Sequence, residues 1–93
     1  MAVTDRIAAV IENQYGNEAS SVVSLLEDAE LRTFHESAHE RITAAVVILA
    51  NGSLDGLVRA IDLMETDWRD LLVSAELDHS DWPSSVEEIF GSG

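Results

Sequence analysis

Apolar residues recur at intervals of three and four along most of this chain, and nowhere do they alternate one by one. Such intervals line up side chains on one side of a helix, whereas alternation would mark a half-buried strand. The pattern predicts an all-α fold: a compact bundle of about five short helices, closed by a docked C-terminal helical turn.

The first helix is expected from Asp5, capped by Thr4, with Ile7, Val10, Ile11 and Tyr15 on one stripe. Gly16 should stop it, because glycine adopts the left-handed backbone that closes helices. A second helix opens at Asn17 or Glu18 and carries Val22, Val23, Leu25, Leu26 and Ala29. Glu27 and Asp28 oppose the dipole at its end, so fraying is expected there. The third helix is the longest, about Thr33 to Ala50, with Phe34, Ala38, Ile42, Ala45, Val46 and Leu49 aligned. From Ala44 to Ala50 it is apolar all round, which predicts a central place in the bundle. Asn51-Gly52 ends it. Ser53 then caps a fourth helix with Leu54, Leu57, Val58, Ile61 and Met64 inward. Thr66 caps a fifth with Trp68, Leu71, Leu72 and Ala75 inward.

The character changes after Leu77. Residues 1–77 read as the helical bundle domain and 78–93 as a hinge and docking segment. Asp78 to Pro83 is polar and turn-like. Ser85 with Glu88 has the spacing of a capping box, ahead of a last turn carrying Val86, Ile89 and Phe90.

Charge changes the picture most. Eighteen acids face five arginines and no lysine, for a net charge of −13. Binding nucleic acid requires a basic footprint, so that partner is excluded. Anionic membranes are excluded on the same ground. The longest apolar run is seven residues, where a membrane span needs about 20. Asp5 and Arg6 precede Ile7 without signal-peptide architecture, and there is no cysteine, so a cytoplasmic location is expected.

Two patterns could carry metal chemistry. His35-Glu36-Ser37-Ala38-His39 matches H-E-x-x-H, in which two histidines one turn apart grip zinc and the glutamate activates water. No third ligand follows at the usual spacing, and His35 falls inside the apolar stripe, so packed histidines are the expected reading. Glu36-x-x-His39 and Glu76-x-x-His79 are both E-x-x-H, the pair used by di-iron bundles, with Glu12, Glu27 and Glu65 as further candidates. Ten glutamates and three histidines make such matches unsurprising. No phosphate-cradling loop, nucleophile elbow or dinucleotide fingerprint occurs, and no cofactor is expected.

From Glu40 to Ala75 the chain carries Glu40-Arg41-Ile42, Asn51-Gly52-Ser53-Leu54 and Asp67-Trp68-Arg69-Asp70-Leu71-Leu72. These pieces resemble a group of small bacterial helical proteins with no assigned activity. The resemblance implies a bacterial, cytoplasmic, helical protein and nothing about chemistry.

The function expected from these residues is non-enzymatic: a small acidic protein-interaction or regulatory module. A homodimer is expected, through an apolar seam that includes Val47 or Leu63. Trp82, Ile89 and Phe90 belong to a short tail that must dock on its own body, on a second subunit or on another protein. One alternative is a metal-binding helical protein using His35, Glu36 and His39. Another is an acidic mimic that sequesters a basic, nucleic-acid-binding surface.

Overall fold

The computed structural model describes residues 3–28 and 36–91, with side chains described for all of these except 36–38. Among them every regular element is helical and there is no strand. The elements are α1 (Asp5–Tyr15), a single 3-10 turn (Gly16–Glu18), α2 (Ala19–Asp28), α3 (Glu36–Ala50), α4 (Leu54–Ser74) and α5 (Trp82–Phe90). The expected helix positions Ala29, Thr33 and Phe34 lie outside the described residues, as does His35.

Thr4 holds the N-cap backbone of α1, and Gly16 closes the helix at φ 57° with its N–H on the Glu12 carbonyl. The Thr4 hydroxyl does not cap the helix. It donates to Glu40 Oε2 at 3.0 Å instead, tying the start of α1 to α3. Ile7 and Ile11 of α1 and Val22 and Leu26 of α2 are buried, whereas Leu25 turns outward.

α3 is the central post, packed against α1, α4 and α5. Ile42, Ala44, Ala45, Val46, Val47 and Ala50 are all buried, so most sides of this helix meet protein. A helix that is apolar all round has this environment, as its sequence implies. Val47 is 1% exposed and packs within the chain's own core. The expected dimer seam through Val47 is therefore corrected: this side chain offers no surface to a second copy.

Asn51 (φ 50°) and Gly52 (φ 78°) turn the chain between α3 and α4. The Ser53 hydroxyl accepts from the Gly56 N–H at 3.1 Å and caps α4. The two helices then come very close: a Cβ on Gly56 would lie 2.6 Å from the Ala50 carbonyl oxygen. Tyr15 donates to the Ser53 carbonyl at 3.2 Å, which fixes the end of α1 beside this turn.

The fourth and fifth helices expected from the sequence form one bent element, so four helices precede Leu77 among the described residues. The bend is at Asp67 (φ −154°, ψ 82°). Thr66 was the expected cap, but its hydroxyl donates back to the Asp62 carbonyl at 2.8 Å and finishes the first limb. Asp67 caps the second limb, accepting from the Asp70 N–H at 3.2 Å. Trp68, expected in the core, is 40% exposed, with the Arg69 guanidinium 5.4 Å from its ring centroid.

The second limb ends with Glu76 at φ 60° and the Leu77 N–H on the Leu72 carbonyl at 2.8 Å. That bond satisfies a carbonyl the helix end would leave open. Leu77 is buried, and its own carbonyl accepts from Arg41 Nε at 2.6 Å. α5 starts at Trp82 rather than at Ser85, because Pro83 fits the first turn, where no backbone N–H is needed. It packs on α1 and α3 of the same chain, burying Val86 and Phe90.

Candidate interaction surface

Arginine placement decides which acids are neutralised. Arg6 binds Glu40 through two parallel contacts, Nε to Oε2 at 3.1 Å and Nη2 to Oε1 at 2.9 Å. Its Nη1 also donates to the Gly91 carbonyl at 3.1 Å, so one side chain joins α1, α3 and the end of α5. The guanidinium holds the Glu40 carboxyl below the usual carboxylate range, against the opposing effect of burial and with help from Thr4. Arg41 is spent on the Leu77 carbonyl and lies 5.6 Å from the Trp82 ring centroid. The Arg6–Glu40 pair is the one salt bridge among the described residues.

α4 supplies the apolar part of the surface. Leu57, Ala60 and Met64 face the core. Leu54 and Val58 were expected inward as well, yet they are 44% and 61% exposed. At about 100° per residue, Leu54, Val58 and the half-buried Ile61 form one flank of the first limb. Asp55, Asp62 and Glu65, all exposed, border that flank. The result is an apolar stripe two turns long, edged with carboxylates.

The opposite flank of the same limb borders an open groove of about 340 Å³, lined by Leu49, Gly56, Arg59, Ala60, Leu63 and Ser74. This volume is at the low end of ligand sites, which span about 300–1,000 Å³. The lining offers one cation and one hydroxyl. Leu63, named as a seam residue, is half-buried in this groove.

The other candidate residues fall apart from one another. Trp82 is half-buried under Arg41, Phe90 is buried against its own bundle, and Ile89 is 51% exposed. Of the H-E-x-x-H set, His35 and the Glu36 side chain lie outside the described residues, while His39 is half-buried on α3. Glu76 and His79 stand past the end of α4 and are exposed, not side by side on one helix face. Glu12, Glu27 and Glu65 are exposed on three different helices. Among the described residues no three acidic or histidine side chains are grouped to hold a metal ion.

Sequence reasoning missed the exposure of Leu54 and Val58. The available signal was the width of the apolar arc on this limb, which is broader than one neighbouring helix can cover. No described helix is long and apolar enough to cross a membrane. No protein-family model, curated protein or solved structure matches the chain.

Proposed function

We propose that this chain is a small non-enzymatic protein-interaction module that presents the outer flank of α4 to a partner. The observation that carries the reading is the pairing of Leu54 with Val58, exposed one turn apart on a helix whose adjacent face, Leu57, Ala60 and Met64, is core. Single exposed apolar residues need no explanation, but a continuous stripe on a body of net charge −13 is a contact site. Self-association is the weaker use of this stripe. Val47 is withdrawn into the core, and a second copy would set acids against acids.

Affinity capture from the native cells tests the reading. Wild-type chain and Val58→Asp are used as baits after their melting temperatures are shown to agree. The expected result is a partner retained by the wild type and lost with Val58→Asp. Identical captures by both baits would overturn the proposal.

A further inference from the structure

Resting on that reading, we propose that the occupant of the α4 flank is a basic amphipathic helix of another protein. Leu54, Val58 and Ile61 follow the i, i+4, i+7 spacing by which helices meet along a seam. Asp55, Asp62 and Glu65 border the same seam, and none of them is in a salt bridge among the described residues. Arg59 lies between Asp55 and Asp62 in sequence but comes within salt-bridge distance of neither. The flank therefore combines apolar anchors with unneutralised negative charge. The surface complementary to it is a helix with apolar residues on one stripe and lysine or arginine beside them.

The other occupants fit worse. A second copy brings five arginines against eighteen acids, and its own α4 flank repeats the same carboxylates. An anionic membrane meets the charge of the whole chain with its own. A neutral apolar helix would leave the three carboxylates beside a low-dielectric seam without partners, which is costly.

The test uses the ¹⁵N-labelled full chain and three synthetic peptides of about eighteen residues, long enough to form a helix on binding. One is an amphipathic leucine–lysine peptide. The second is the same composition scrambled so that no apolar stripe forms. The third keeps the stripe and replaces lysine with glutamate. The amphipathic basic peptide should shift the amides of Leu54 to Glu65 and bind at least about tenfold tighter than the scrambled one. Val58→Asp should weaken it about tenfold. Replacing Asp55, Asp62 and Glu65 together by Asn, Asn and Gln should flatten its salt dependence. The glutamate peptide should not bind.

Equal binding of the basic and scrambled peptides, or shifts spread over the whole acidic surface, would overturn the proposal, as would indifference to Val58→Asp. Sedimentation showing wild-type chain paired with itself through this flank would overturn it too. If a cellular partner depends on Val58 but the basic peptide does not bind, the basic-helix assignment falls while the interaction reading stands. If neither depends on Val58, both fall.

Discussion

Arg6 and Glu40 face each other as a bidentate pair, 2.9 Å apart at the closest approach and each only partly exposed. Two parallel bonds between a planar guanidinium and a carboxylate are stronger than a single surface contact. The pair locks α1 to α3 at the open end of the bundle, where Thr4 and Gly91 also converge.

A double-mutant cycle on Arg6→Ala and Glu40→Ala should give a coupling of about 1–2 kcal/mol. The lowered Glu40 value fixes the pH dependence. A carboxyl held below its unfolded value contributes fully above that value, near pH ~4.3, and loses its contribution as pH falls through the folded value. The stability gap between wild type and Glu40→Gln should therefore be widest at neutral pH and close as pH falls through the lowered Glu40 value. Urea melts at several pH values measure it; a gap that widens on acidification would contradict this account of the pair.

Gly56 sits inside α4, where alanine would ordinarily be favoured by about 1 kcal/mol. Here a methyl group would meet the Ala50 carbonyl, and backbone has little room to yield. Gly56→Ala should lower stability by about 1–2 kcal/mol, because helix separation outweighs propensity. A variant more stable than wild type would show that α3 and α4 are not held this closely.

The bend in α4 separates two adjacent residues that both look like caps. Asp67→Ala should cost about 1 kcal/mol through loss of the bond to the Asp70 N–H. Thr66→Ala should cost less, because its hydroxyl serves a carbonyl of the preceding limb. Thermal melts of the two single variants decide which residue starts the second limb.

Unneutralised charge should show itself in salt dependence. With one salt bridge among the described residues and a net charge of −13, self-repulsion among the acids outweighs pairing. The melting temperature should rise as sodium chloride goes from about 10 mM to 500 mM, since screening shortens the reach of that repulsion. A flat or falling curve would mean that the acids are paired or bind cations specifically.

Much of the architecture was legible in the residues. Gly16, Asn51-Gly52 and Ser53 mark chain reversals because they alone there suit the backbone or the cap. The run from Ala44 to Ala50 announces a central helix because no polar face remains to meet water. What periodicity does not reveal is which part of a wide apolar arc a neighbour covers. Val47 was placed outward and is buried; Val58 was placed inward and is exposed. On α4 the core takes Leu57, Ala60 and Met64 and leaves Leu54 and Val58 aside. Trp68 shares the spacing of the buried Leu71, Leu72 and Ala75, yet it stands in the first turn after the bend at Asp67 and is 40% exposed. The candidate surface thus depends on helix rotation, a property of tertiary packing rather than of local pattern.

Site-specific photocrosslinking tests the central claim most directly. A benzophenone amino acid is placed at Val58 in one strain and at Glu12, exposed on α1, in another, and both are irradiated in the native cells. The account predicts a discrete adduct with another protein from position 58 and none from position 12. An adduct of twice the chain's own mass, or no adduct from position 58 in a variant that melts like wild type, would contradict it.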